Sequence, residues 1–180
     1  LPLEKLEERY TSQWAVWFPE EFRRQGKSFI TIEGSPLSNT VEVGTFLDIN
    51  STMAYKASQL QLVAELFYSK KVKDGDIFFL ADTEMFGMEL SIKYLARLNS
   101  VDVKIYGFAH AGSYTRGDFV EPCADFAHHV EMTWGQVFDK IFVGSEYHKT
   151  QLWVKRKIHA GRIIVTGNPY DIDGVRQLIT

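Results

Sequence analysis

Ile77-Phe78-Phe79-Leu80-Ala81-Asp82 decides the fold: an unbroken apolar run that follows the turn pair Asp74-Gly75 and ends in an acid. The run is short and continuous rather than alternating, which reads as a strand covered on both faces. Downstream the pattern recurs. A helix is expected from about Glu84 to Leu98, with Met88, Ile92 and Leu95 on one face. Val101, Val103 and Ile105 then alternate into Tyr106-Gly107-Phe108-Ala109-His110. After a polar loop, Pro122 suits the first turn of a helix reaching about Trp134. Ile141-Phe142-Val143 reads as the next buried strand, followed by a helix from near Ser145 to near Lys157. Ile163-Ile164-Val165 is the last strand, closed by Gly167-Asn168-Pro169.

Upstream, residues 3–10 have helical composition and predict a short first helix. Trp14, Trp17, Phe18 and Phe22 crowd around Pro19 and read as a cap over the core. Ser28 to Ile32 predicts a strand stopped by Gly34 and Pro36, and Val41, Val43 and Thr45 to Ile49 predict a second extended stretch. Asn50 or Ser51 is expected to cap a helix carrying Leu60, Val63, Ala64 and Phe67 at helical spacing. Lys70, Lys71 and Lys73 fall in or just after its last turn, where cations suit the helix dipole. Strands alternating with helices imply βαβ units, parallel pairing and right-handed crossovers. The expected class is α/β, a doubly wound, mostly parallel Rossmann-like sheet with helices on both faces. The expected organisation is a helical and aromatic cap over 1–27, a Rossmann-like domain over 28–173, and the start of a linker over 174–180.

The composition is that of an ordinary globular domain, 45% hydrophobic and 24% charged, but rich in aromatics at 14%. A net charge of −3 and the absence of a basic stripe disfavour nucleic-acid binding through phosphates. Lys155, Arg156 and Lys157 read as the solvated face of a helix. Cys123 stands alone, so no internal disulfide forms; it reads as a small buried hydrophobe, and the expected compartment is cytoplasmic. No apolar run approaches the roughly 20 residues of a membrane span. The chain reads as part of a longer protein.

In an open parallel sheet, ligands sit at the carboxyl ends of the strands. The residues expected there are Glu33, Gly34 and Ser35; Asp48 and Asn50; Asp82 and Glu84; His110, Gly112, Ser113 and Arg116; Ser145 and Glu146; Gly167 and Asn168. His110, followed by small residues, can serve as a general base or hydrogen-bond a sugar hydroxyl; the alternative is a bond to a neighbouring loop. Asp82 can orient His110, bind hydroxyls, or cap the following helix. Ser145 caps a helix or touches a hydroxyl or anion, and Asp118 is expected to cap the helix after Pro122. Arg116 meets an anion or is solvated. His128 and His129 are adjacent on a helix and point about 100° apart, so no shared metal is expected. No G-x-G-x-x-G, G-x-x-x-x-G-K-[ST] or G-x-S-x-G pattern occurs, which disfavours the usual dinucleotide fold, a P-loop enzyme and a nucleophile elbow.

Three segments then carry a resemblance: Gly107-Phe108-Ala109-His110-Ala111-Gly112-Ser113, the run from Phe138 to Lys149, and Ile164-Val165-Thr166-Gly167-Asn168-Pro169-Tyr170-Asp171. Their order resembles the N-terminal, acceptor-side domain of a GT-B glycosyltransferase over roughly residues 28–173. The resemblance implies transfer of a sugar from a nucleotide-sugar co-substrate to an acceptor, generally without a metal and with no other cofactor. The reading of the strand ends makes His110 and Asp82 the candidate catalytic residues; beside it, the resemblance places His110 facing the transferred sugar or acceptor, with Gly34 bordering the cleft and Ser145 on the interdomain wall. It also implies a missing C-terminal domain that holds the nucleotide, so that these residues alone do not turn over. The loop after the first strand lacks the paired glycines common in that family. Two other readings compete: a non-catalytic binding module using the same sheet edge, and a metal-dependent hydrolase built on Asp82, His110 and Asp118.

Overall fold

The computed structural model describes residues 1–6, 9–38, 47–84, 87–172 and 176. Its elements are α1 (Tyr10–Arg24), α2 (Ile49–Tyr68), β1 (Ile77–Leu80), α3 (Met88–Leu98), β2 (Lys104–Ala109), α4 (Ala124–Val137), β3 (Lys140–Val143), α5 (Glu146–Arg156) and β4 (Ile163–Val165). A 3₁₀ turn, Glu121–Cys123, leads into α4 with Pro122 in it, where a missing N–H costs nothing. The four strands pair in the order β1-β2-β3-β4, all parallel. The fold is α/β, Rossmann-like, with helices on both faces of the sheet.

Period-two alternation sorts the strand residues onto two faces. Phe78, Leu80, Ile105, Ala109, Ile141, Val143 and Ile163 join the larger core with Val63 and Phe67 of α2, Ile92 of α3, Trp134 and Val137 of α4, and Leu152 of α5. Trp134, Phe138, Ile92, Ile105, Ile141 and Leu152 are almost wholly excluded from water. Phe79, Ala81, Phe108 and Phe142 face the other way, against Trp14, Trp17 and Phe18 of α1. Trp14 meets Phe108 edge-on at 5.1 Å and Phe18 meets Phe79 at 5.2 Å. The aromatic segment thus lies on the sheet as a cap, and it is helical through Pro19.

The chain upstream of β1 differs from the sequence reading. Residues 1–6 are not helical; helix begins only at Tyr10. Leu1 pairs with β1 instead, its N–H donating to the Phe79 carbonyl and its carbonyl accepting from the Ala81 N–H. Glu4 is buried and accepts from the Ser51 and Thr52 hydroxyls, which holds the segment extended. Residues 28–32 are irregular rather than a strand. Their β-branched composition is real, yet the β1 edge they would need is met by Leu1. Ile32 is fastened to α2 through its carbonyl and Gln59 Nε2, while Ile30 points to solvent. Residues 39–46, including Val41, Val43 and Thr45 of the second expected strand, lie outside the described residues; Leu47 and Asp48 are irregular. Asp48, not Asn50 or Ser51, caps α2, its carboxylate accepting from both of their N–H groups. α3 starts at Met88 rather than near Glu84, after Gly87 at φ 103°, a left-handed conformation that suits glycine.

Candidate functional site

The carboxyl ends of β1 and β2 open onto a cavity of about 70 Å³. Asp82, Glu84, His110 and Asp118 line it, together with Glu4, Arg9 and Tyr10, which the sequence reading did not include, and apolar residues such as Leu3, Leu6 and Phe119. Asp82 and His110 are therefore on one rim, as the parallel pairing of β1 with β2 requires.

They are not hydrogen-bonded to each other. Asp82 Oδ1 accepts from the Glu84 N–H at 2.9 Å and closes the turn after β1; it does not cap α3, which begins six residues on. His110 Nε2 lies 2.8 Å from the Ala81 carbonyl, and Nδ1 lies 3.3 Å from the Tyr10 hydroxyl. A carbonyl only accepts, so Nε2 carries the proton and Nδ1 accepts from Tyr10. The imidazole is also boxed by Trp14 at 4.7 Å and Phe108 at 5.0 Å. In this arrangement it offers a ligand no free nitrogen until Tyr10 moves. The Tyr10 hydroxyl holds its proton, since burial and the neighbouring Asp82 push its pKa up to about 12.

Glu84 is 4% exposed. One carboxyl oxygen accepts from the Ala111 N–H at 2.6 Å. Burial, then Asp82 and Asp118, push its pKa up to about 9, so it stays protonated at neutral pH. Asp118 is also raised, by burial and by Asp82 and Glu131; its Oδ1 accepts from the Val120 N–H and shapes the turn into α4. No ion pair reaches Glu4, Asp82, Glu84 or Asp118 among the described residues. Lys56, buried on α2 one turn after the cavity-lining Thr52, has Asp82 and Glu4 as its electrostatic neighbours. Burial lowers its pKa and those two acids oppose the shift.

A second buried network holds the loop that carries Ala111. Glu131 of α4 accepts from the Ser113 N–H at 2.6 Å and from the Ser113 hydroxyl at 2.9 Å, and it pairs with Arg156 of α5. Arg156 also donates to the Ser113 hydroxyl at 2.9 Å and covers the Tyr114 ring at 4.9 Å. The Tyr114 hydroxyl bonds His148, whose pKa burial lowers to about 4. Arg156 was expected on a solvated helix face; it is 5% exposed, whereas Lys155 and Lys157 are exposed. Sequence carries a signal for this pair: Arg156 follows buried Leu152 by one turn, and Glu131 sits between buried Ala127 and Trp134.

The remaining expected site residues lie elsewhere. Gly34 packs on α2, where an added Cβ would come within 2.0 Å of the Tyr55 carbonyl oxygen, and the Ser35 N–H bonds Ser58. Asp48 and Asn50 form the α2 cap. Gly112 lies under the Tyr114 ring and Ser113 belongs to the Glu131 network. Arg116 is exposed in its loop. Ser145 caps α5 through the His148 N–H, and the Asn168 side chain rests against Gly144. None of these lines the cavity. Cys123 is half-buried rather than buried, with a free thiol. Among the described residues no group of three His, Cys, Asp or Glu is placed to hold a metal ion. No helix there is long and apolar enough to cross a membrane.

No protein-family model matches the chain, and no curated protein matches it.

Proposed function

We propose that this chain is the acceptor-side half of a GT-B glycosyltransferase, active when joined to a half that holds a nucleotide sugar. The observation that carries the reading is the small cavity at the carboxyl ends of β1 and β2, with Asp82, Glu84 and His110 on its wall. Ligands of open parallel sheets bind at that edge. Supporting it is the order of three segments that resemble the family: the His110 loop after β2, the Ser145-capped start of α5, and Gly167-Asn168-Pro169 after β4.

The chemistry asks for a group that takes the acceptor hydroxyl's proton as its oxygen attacks the sugar's anomeric carbon and the nucleotide departs. Asp82 is the favoured base, because one of its oxygens holds the turn and the other has no hydrogen-bond partner among the described residues. His110 acts on a ligand only after Tyr10 withdraws from Nδ1. Glu84, protonated, donates a hydrogen bond to the acceptor rather than accepting its proton.

The test is to supply nucleotide sugars to the protein carrying its nucleotide-binding half and to follow release of the nucleotide. Asp82→Asn should lower turnover by roughly 10²- to 10⁴-fold, and His110→Ala should lower it too. Full activity of both variants would remove the proposed base, and no consumption of any nucleotide sugar would end the reading. Ligand binding without turnover would favour a non-catalytic module, the reading that the fully engaged His110 ring supports best.

A further inference from the structure

Away from the cavity, we infer that the outward face of α5 docks on α5 of a second copy of this chain, antiparallel across a two-fold axis. Successive helix residues turn by about 100°, so His148, Leu152 and Arg156 fall on one side of α5, and all three are buried. Tyr147, Thr150, Val154 and Lys157 fall on the opposite side. They follow one another at a 3-4-3 spacing, the spacing of a helix–helix seam, with Glu146 and Trp153 flanking it on one side. Tyr147 is 72% exposed, Val154 62% and Trp153 55%. Neither aromatic ring meets another ring or a cation among the described residues. The Thr150 hydroxyl donates to the Glu146 carbonyl at 2.9 Å, so the middle of the stripe carries no unmet donor. Single exposed apolar side chains are ordinary, but here three align on one helix of 11 residues.

The pattern of charge selects the occupant. Glu146 opens the helix and Lys157 closes it as the C-cap; both are exposed, and neither has an ion pair among the described residues. A face with its acid at one end and its base at the other is complementary to itself only when reversed. Antiparallel pairing about the middle of α5 sets Glu146 and Tyr147 against Lys157 of the partner subunit, and the symmetry repeats this contact. Thr150 then meets Val154 of the partner subunit, and Trp153 lies beside its own copy near the axis. Each Lys157 ammonium gains a carboxylate and an aromatic face, and the two helix dipoles oppose one another. Parallel pairing would instead set Lys157 against Lys157 and Glu146 against Glu146. Lys149 and Lys155 project about 120° from the middle of the stripe and stay outside the seam. An anionic lipid surface would attract those two lysines, yet it would meet the Glu146 carboxylate on the stripe itself.

The seam is short, and its length sets the affinity. A helix of 11 residues spans about 16 Å, so each copy buries well under the ~800 Å² per partner of a standard interface. The dimer is therefore weak, with a Kd on the order of 10⁻⁴ M. Trp153 contributes most of its stability, as a large ring at the centre of the contact. The inward face of α5 does not change on pairing: Arg156 stays on Glu131 and Ser145 stays on the His148 N–H.

The experiment is sedimentation equilibrium of the chain at low ionic strength, from about 10 μM to about 1 mM. The protein should pass from monomer to dimer across that range and form nothing larger, because a two-fold contact closes on itself. Trp153→Ala should weaken the dimer by about tenfold or more. Glu146→Lys and Lys157→Glu should each weaken it by about threefold to tenfold, since each turns an attraction into a repulsion at both ends. The two reversals combined should restore the wild-type affinity. All three positions are exposed, and circular dichroism verifies the helix in each variant. A chain that is still monomeric at the highest concentration overturns the proposal, and so does a dimer that Trp153→Ala leaves intact. A double reversal that does not restore pairing overturns the antiparallel arrangement and the proposal with it. A monomer that binds vesicles of phosphatidylglycerol and phosphatidylcholine, and loses them in Trp153→Ala, overturns it in favour of an anionic lipid surface. Turnover of a nucleotide sugar bears on none of these results, so the transferase reading stands or falls separately.

Discussion

Two buried glutamates flank the loop after β2 and illustrate opposite uses of a carboxyl group. Glu131 is fully excluded from water and Glu84 nearly so, at 4% exposure. Glu131 meets Arg156 and both the hydroxyl and N–H of Ser113. Glu84 meets one N–H, that of Ala111, and faces Asp82 and Asp118. The first is a closed network in which the low dielectric strengthens each bond. The second is an open one, in which the same low dielectric pushes a carboxyl toward its neutral form. Both fix the same loop, so the rigid network holds Ala111 where the reactive one needs it. The comparison teaches that burial alone does not fix the state of a carboxyl group; the charges and donors around it do.

The largest way to break the contrast is to open the closed side. Arg156→Met keeps most of the packing volume but strips Glu131 of its counter-charge. Removing one partner of a buried pair should cost about 3–5 kcal/mol, read as a lower urea midpoint. Adding Glu131→Gln should recover part of that loss, because the uncompensated charge is then gone. A single-variant loss under about 1 kcal/mol would mean that the pair is not desolvated as its burial requires.

Glu84→Gln should act through pH. Glu84's folded pKa, about 9, lies above its ordinary 4.5, so the folded state holds a proton that the unfolded state releases. The stability this lends is complete below about pH 4.5 and drains away as pH climbs toward 9. Across that window the wild-type protein should lose stability relative to Glu84→Gln by up to about 1.4 kcal/mol per pH unit. Denaturant melts at pH 5, 7 and 8.5 measure the gap, and a gap independent of pH would show an ordinary carboxylate. Within the cavity, Asp82→Asn should lower the Glu84 titration midpoint more than Asp118→Asn does, because Asp82 acts on it more strongly. Carboxyl-carbon NMR reads both shifts.

How much of this the residues announced depends on range. β1 to β4 were legible because each is a short apolar run between turn signals, as in Ile141 to Val143. Asp82 and His110 were legible as strand ends, and parallel pairing then set them on one rim. The fate of residues 28–32 was not legible, since β-propensity cannot reveal that the β1 edge is met by Leu1. Nor was Tyr10 on His110, a contact across 100 positions of chain. Arg156 looked like a solvated charge because it stands between Lys155 and Lys157, although its spacing of one turn from Leu152 marks the inward face. Gly34, Gly112 and Ser145 were marked for a ligand by position, and each has a structural neighbour instead: Tyr55, Tyr114 and the α5 N-terminus.

The smallest expected effect tests whether α1 guards the imidazole. Tyr10→Phe removes one hydroxyl at a residue that is itself 38% exposed, and leaves the ring to pack on Trp14 at 5.0 Å. The bond it deletes is long, 3.3 Å, so stability should fall by only about 0.5–1.5 kcal/mol. Reactivity should change more than stability does. Nδ1 of His110 loses its donor while Nε2 stays on the Ala81 carbonyl, so the ring keeps its tautomer and gains a free lone pair. Acylation of His110 by diethyl pyrocarbonate, followed by peptide mass spectrometry, should therefore speed up in the variant. His148 is the internal control, because its Nε2 stays bonded to Tyr114. If both histidines react as in the wild-type protein, the Tyr10 hydroxyl does not hold Nδ1 in solution. The imidazole is then open to a ligand without any movement of α1, and the difference in readiness between His110 and Asp82 disappears.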